Sequence, residues 1–149
     1  MGSYNCRGLN QTKRNYIATL LPNVNILFLQ EHWLSDAQFS TISNIADNLS
    51  YTGISGFHNC DILAGRPYGG CAILWKPSLL ANVTIVDTDS NCICAVRFCC
   101  DAWKIIAINV YMPYEDNNDV NSDEFIHLLA LIESIIRNNP DCHSYWRRL

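Results

Sequence analysis

The sequence has no C-x-x-C pair, no apolar run of membrane-spanning length and no basic localisation run. Its eight cysteines are Cys6, Cys60, Cys71, Cys92, Cys94, Cys99, Cys100 and Cys142. A structural zinc site wants two close Cys pairs, or a Cys pair with a His pair, and neither is present. The thiols therefore read as reduced and partly buried. The longest apolar stretches are strand-sized, so no membrane partner is expected. The opening residues hold no signal-peptide hydrophobic region, and Cys6 stands where the myristoylation pattern wants Ser or Thr. The expected location is intracellular, nuclear or cytoplasmic. Charged residues make up only 16% and the net charge is −4, which argues against a large nonspecific grip on nucleic acid. There is no internal repeat and no linker.

What the chain does have is a core-forming composition. It has 149 residues, 49% of them hydrophobic, which is enough for one globular domain. Its charges are unevenly placed. Glu115, Asp116, Asp119, Asp123 and Glu124 form an acidic cluster, while Arg7, Lys13 and Arg14 crowd one end and Arg147 and Arg148 the other. The three N-terminal cations read as a solvated face.

The stretch Ile26-Leu27-Phe28-Leu29-Gln30-Glu31-His32-Trp33-Leu34 organises the rest. Four consecutive apolar residues without alternation predict a strand covered on both faces, as in an α/β sheet. Glu31 follows at its carboxyl end, where open α/β sheets place their ligands. The bland alternative for Glu31 is a solvated loop carboxylate.

The remaining elements follow in order. A short strand ends near Gly8, and a helix is predicted over 13–21, with Tyr16, Ile17, Leu20 and Leu21 on one face and Pro22 beyond it. With the strand over 26–30 this makes a β-α-β unit. Ser35 is a plausible N-cap for a second helix over 36–49, whose apolar positions are Phe39, Ile42, Ile45, Ala46 and Leu49. Strands are predicted over 51–57, 70–75, 83–86, 93–98 and 103–111, with an exposed loop over 58–68. A final helix starts near Asn121, with Glu124 as a capping-box partner and Pro140 closing it. The result is one α/β domain.

Three motifs stand together in this order: Tyr4-Asn5-Cys6-Arg7-Gly8-Leu9, Leu29-Gln30-Glu31-His32-Trp33-Leu34 and Asn109-Val110-Tyr111-Met112-Pro113, with Gly69-Gly70-Cys71-Ala72-Ile73-Leu74 between the last two. Over about residues 3–141 the chain resembles the endonuclease/exonuclease/phosphatase superfamily. The likeness is greatest to the apurinic-type endonuclease domain of non-LTR (LINE-type) retrotransposons. The resemblance implies a four-layer α/β sandwich and a magnesium- or manganese-dependent phosphodiester hydrolase that nicks DNA. It implies DNA as the partner. It also implies Glu31 as the metal carboxylate, Asn5 as an amide helping to hold the metal site, and Tyr111 as a phenol beside the phosphate. Magnesium takes oxygen ligands, few of them protein carboxylates, and keeps waters and a substrate oxygen for the rest. A phenol can donate a hydrogen bond to charge developing on the phosphate. His32 is adjacent but takes no role. Taken singly, Asn5 could equally cap a turn, Tyr111 could end a strand with a wet hydroxyl, and Arg66 reads as a solvated loop arginine beside the alternative of a phosphate contact.

The family pattern continues with a Gly-Asp-Phe-Asn motif and ends in an Asp-His pair; neither occurs here, and His143 lies upstream of where the first should begin. Residues 1–141 are therefore expected to form a truncated domain and 142–149 an off-pattern tail. The second sheet is expected to be largely missing, leaving a sheet face exposed and able to self-associate. Two further readings stay open. One is a catalytically inactive fragment or interaction module derived from a mobile element. The other is a superfamily branch acting on RNA, poly(A) or inositol phosphates.

Overall fold

Strand β2 (Ile26–Gln30) is buried at all five positions, as its unalternating apolar run predicts. In the computed structural model the described residues are 1–56, 69–79, 81–112 and 119–148. Strand β1 (Gly2–Asn5) pairs parallel to β2, with Asn5 in register with Gln30. Helix α1 (Gln11–Leu20) connects them, capped by the Asn10 side chain accepting from Lys13 N, and passes into a 3₁₀ turn over Leu21–Asn23. Strands β3 (Ser50–Ile54) and β4 (Cys71–Trp75) complete this sheet in the order β1-β2-β4-β3, with β4 antiparallel to both its neighbours.

A second sheet packs against it. It contains β5 (Asn82–Val86), β6 (Ile93–Cys99), β7 (Lys104–Val110) and β8 (His143–Arg148), in sequence order. The first three are antiparallel neighbours, and β8 adds parallel to β7. Helix α3 (Asp119–Arg137) precedes β8.

Three apolar layers hold the elements together. Ile17, Leu21, Ile42 and Ile45 pack on the outer face of the first sheet, against Leu27, Leu29 and Leu74. Ile26, Phe28, Ile73 and Trp75 meet Val96, Phe98 and Ala107 between the sheets. Leu128, Ile132 and Ile135 of α3 cover Ile93, Ala95, Ile106 and Ile108 on the far face of the second sheet. The architecture is thus helix, sheet, sheet, helix: a four-layer α/β sandwich.

Four expectations are corrected. The second sheet is present as four strands rather than largely missing, and the sheet face expected to be exposed is covered. The sequence pattern shows seven of the eight strands, missing β8, and does not show where a run of antiparallel strands divides. Here the division follows β4, at the 3₁₀ turn over Pro77–Leu79. The helix expected over 36–49 is a single α turn, α2 (Asp36–Phe39, N-cap Ser35), followed by 3₁₀ helix over Ser40–Ile45. Thr41 Oγ1 donates to Gln38 O (2.7 Å) and Ser43 Oγ to Ser40 O (2.8 Å), local bonds that compete with an α ladder already weak in β-branched and Ser residues. Finally, Arg14 does not belong to a solvated face. It is buried, and its guanidinium donates to Thr41 O and, at 2.9 Å, to Thr41 Oγ1. No helix among the described residues is long and apolar enough to cross a membrane.

Candidate active site

Parallel pairing of β1 and β2 brings their carboxyl ends to one edge of the sheet, so Asn5 and Glu31 meet although 26 residues separate them. Asn5 Nδ2 donates to Glu31 Oε1 at 2.8 Å. Asn5 Oδ1 accepts from Arg7 N at 2.9 Å, closing an Asx turn. These two bonds fix the amide's orientation. Turned over, it would set oxygen against carboxylate and N–H against N–H. Both residues are half-buried.

The loops that carry them are held by backbone bonds. Gly8 N donates to Glu31 O (2.8 Å), Leu9 N to His32 O (2.9 Å) and Trp33 N to Gly69 O (3.2 Å). Every positive φ among the described residues falls in these loops except Asn48 and Asp89. The site residues concerned are Arg7 (42°), Gly8 (85°), Glu31 (52°), Trp33 (58°), Gly69 (74°) and Gly70 (79°). Left-handed backbone at non-glycine residues costs free energy and persists where surrounding contacts over-determine it, a pattern that clusters at functional sites. At Gly8 a side chain is also excluded by space, since a Cβ would lie 2.5 Å from Trp33 Cε3.

His32 is fully buried, and its role here is architectural. Its Nδ1 accepts from Leu34 N (3.0 Å), so Nε2 carries the proton and donates to Ile54 O (3.0 Å). Burial lowers its pKa to about 4, against the opposing pull of backbone bonds to Ile54 and Cys71. The ring is therefore neutral at physiological pH. Cys6, also buried beside this loop, has its thiol pushed up to about 12, chiefly by desolvation, with Lys13 pulling down and Glu31 pushing up.

Tyr111 follows β7. Its N–H donates to Cys92 O (2.9 Å), and a Cβ on Gly69 would lie 3.2 Å from Tyr111 Cε1. Gly69 thus touches both loops: its carbonyl holds Trp33, and its α-carbon faces the Tyr111 ring. Asn5 and Glu31 are in direct contact; Gly69 links the Tyr111 ring to Trp33, two residues beyond Glu31. Arg66 lies outside the described residues.

Two residues that sequence reasoning passed over lie behind the site. Gln30 Nε2 donates to Asn109 Oδ1 (2.7 Å), both fully buried, linking the two sheets. The available signal was a polar side chain inside each of two apolar strands, a placement that is costly unless hydrogen-bonded.

The donor set at Glu31 consists of hard oxygens. The Glu31 carboxylate, half-buried and accepting from Asn5 Nδ2 at one oxygen, suits an ion such as Mg²⁺ or Mn²⁺ that takes few protein ligands and keeps most of its waters. Among the described residues there is no cluster of three His, Cys, Asp or Glu side chains able to cage a metal. A cleft of about 840 Å³ between β3, the β5–β6 connection and α3 includes none of Asn5, Glu31 and Tyr111 in its lining. Among the described residues, Asp36, Asp87, Asp89 and Glu124 line it and no Lys or Arg does.

The fold recurs in solved structures. A humanized D. rerio TDP2 superposes with a TM-score of 0.65 at 16% identity, covering 98% of this chain and 59% of that one. The endonuclease domain of TRAS1, a telomere-specific non-LTR retrotransposon, gives 0.60 at 15%, covering 98% and 56%. The 3′ phosphatase NExo from Neisseria, bound to product DNA hairpin, gives 0.66 at 16%, covering 98% and 55%. The chain therefore spans somewhat more than half the length of these structures. No curated protein matches it. Residues 2–147 match the Endonuclease/Exonuclease/phosphatase family, across both sheets and the loops that join Asn5 to Glu31, and the chain belongs to that family.

Proposed function

We propose that this chain carries the carboxylate half of a metal-dependent phosphodiester hydrolase site, of the DNA-nicking kind found in non-LTR retrotransposons. The observation that carries the reading is the 2.8 Å bond from Asn5 Nδ2 to Glu31 Oε1 at the joined carboxyl ends of two parallel strands. It is supported by family membership and by neighbours that include a retrotransposon endonuclease domain and a DNA-bound 3′ phosphatase.

Glu31 would hold Mg²⁺ or Mn²⁺ through its carboxylate, and Asn5 would help hold the metal site by donating to that carboxylate. When bound, the ion supplies Lewis-acid polarisation of a phosphoryl oxygen. The rest is done by side chains. Asn5 fixes the direction of the Glu31 carboxylate by donating to one of its oxygens. Tyr111, on the strand end across Gly69, offers a phenolic O–H to charge developing on the phosphate. His32, neutral and spent on two backbone bonds, takes no proton in the reaction.

The test is nicking of supercoiled plasmid by the purified chain, with Mg²⁺ or EDTA, beside Glu31→Ala. Metal-dependent nicking that disappears in the variant is the expected result. Nicking no greater than the variant's background overturns it. A second reading is a non-catalytic fragment or interaction module derived from a mobile element. The chain spans 55–59% of the three structures compared, and it contains neither Gly-Asp-Phe-Asn nor Asp-His. That reading predicts no nicking above the Glu31→Ala background in the same assay.

A further inference from the structure

Asn109 has no exposed surface and lies inside β7, two residues before Tyr111. Its side chain crosses to the other sheet. Asn109 Nδ2 donates to Leu29 O and to Ala72 O, each at 2.8 Å, and Oδ1 accepts from Gln30 Nε2 at 2.7 Å. Leu29 and Ala72 are register partners in β2 and β4. Gln30 Oε1 in turn accepts from Ser3 Oγ at 3.2 Å, which extends the tie to β1. One amide thus joins β7 to β2 and β4 directly and to β1 through Gln30, using both its donors.

An amide is not needed to hold the sheets together. Phe28, Ile73, Val96, Phe98 and Ala107 already form an apolar core between them. A buried amide is costly unless fully bonded, and apolar contact is non-directional whereas hydrogen bonds are angular. What this amide adds is register. It grips β2 at Leu29 and Gln30, immediately before Glu31, from a strand position two residues before Tyr111.

We propose that Asn109 is a positioning residue. Through Gln30 and the Leu29 carbonyl it sets where Glu31 stands relative to Tyr111. The inference rests on the reading of Glu31 as the metal carboxylate, and its test separates the two. Mn²⁺ is titrated into the full chain, wild type and variants, at a temperature where thermal melts show each to be folded, and plasmid nicking is followed in parallel. Binding by the wild type that depends on Glu31 is established first with Glu31→Ala. Asn109→Ala and Gln30→Met are then expected to bind Mn²⁺ about tenfold more weakly, as loss of a supporting hydrogen bond behind a metal ligand typically does. Ile73→Val, a control in the same core, is expected to lower the melting midpoint without moving the Mn²⁺ affinity. If Asn109→Ala does not fold, Gln30→Met carries the test. Folded variants that bind Mn²⁺ as tightly as the wild type overturn the inference alone. Mn²⁺ binding that survives Glu31→Ala overturns the metal reading, and this inference with it.

Discussion

Gly70 and His32 share space that has no room for a methyl group: a Cβ on Gly70 would lie 2.4 Å from His32 Cε1 and 2.7 Å from Nε2. Gly70 also has φ +79°. Gly70→Ala therefore combines left-handed strain with overlap against a ring fixed by two hydrogen bonds, and is expected to destabilise by about 2–4 kcal/mol. Gly69→Ala, with φ +74° but its nearest neighbour, the Tyr111 ring, at 3.2 Å, is expected to cost about 1–2 kcal/mol. Urea midpoints of the two variants check the order. Equal losses would mean that the His32 ring yields and the packing reading is wrong.

The same ring makes stability depend on pH. His32 titrates near 4 in the folded chain and near 6.5 when unfolded, so between these values the unfolded state binds the extra proton. Stability is therefore expected to fall as pH drops from about 6.5 to about 4, by roughly 3 kcal/mol from this group, and its contribution levels off below that. His32→Gln removes the titrating group and should flatten this part of the curve. Urea unfolding measured at intervals from pH 7 to pH 4 checks it; parallel wild-type and variant curves would show that His32 is not the group responsible.

At the site itself, Asn5→Ala removes the donor to Glu31 Oε1 and is expected to reduce Mg²⁺-dependent nicking 10–100-fold with the fold intact. Asn5→Asp keeps the shape but sets a second carboxylate beside the first. Two carboxylates at that spacing bind a proton more tightly as a pair, so the variant should lose more activity at pH 6 than at pH 8. A pH–rate profile checks the difference. A loss equal at both pH values would point to geometry rather than charge.

The buried thiols offer a chemical check. Cys6, Cys71 and Cys94 are buried and burial raises all three thiols, Cys6 and Cys94 to about 12, whereas Cys99, Cys100 and Cys142 are half-exposed. Alkylation at pH 8 followed by peptide mapping is expected to mark the half-exposed group first and the buried three only in denaturant. Early labelling of Cys71 would mean that the space between the sheets is open.

How much of this was legible in the sequence depended on the range of each signal. Strand β2 was legible because burial on both faces writes itself as an unbroken apolar run, and Glu31 because it ends that run. Helix α1 was legible because Ile17 and Leu20 mark its face and Pro22 its end, while its start two residues earlier, at the Asn10 cap, was not read. Residues 36–49 misled because Phe39, Ile42 and Ile45 recur every three residues, a spacing that a 3₁₀ helix satisfies as well as an α-helix. The Gln30–Asn109 bond joins residues 79 apart in sequence, and no local pattern encodes which buried amide meets which. Division of the later strands into two sheets was illegible for the same reason. Alternation and length predict a strand but not its partners. The roles of Asn5, Glu31 and Tyr111 rest on the family likeness together with the contact that the fold creates, and the nicking and Mn²⁺ experiments decide them.

The covered face between the sheets makes a prediction about stability that a single-sheet chain would not share. Phe98 in β6 has no exposed surface and meets Trp75 of the other sheet edge-on, with ring centroids 5.7 Å apart and planes at 80°. Its immediate surroundings come from both sheets, including Ile26, Phe28 and Ile73 from the first and Ala107 from the second. Phe98→Ala would remove contacts to both and leave a cavity that neither sheet can fill without moving against its own hydrogen-bonded neighbours, so the expected loss is about 3–5 kcal/mol. Ile85, on the edge strand β5 and 61% exposed, is the internal comparison; Ile85→Ala should change stability by about 0.5 kcal/mol or less. Chemical denaturation of both variants gives the measurement. A chain whose first sheet stood uncovered would lose little at Phe98, because that ring would already face water. A loss at Phe98 no larger than at Ile85 would therefore overturn the two-sheet packing on which the positions of Glu31 and Tyr111 depend.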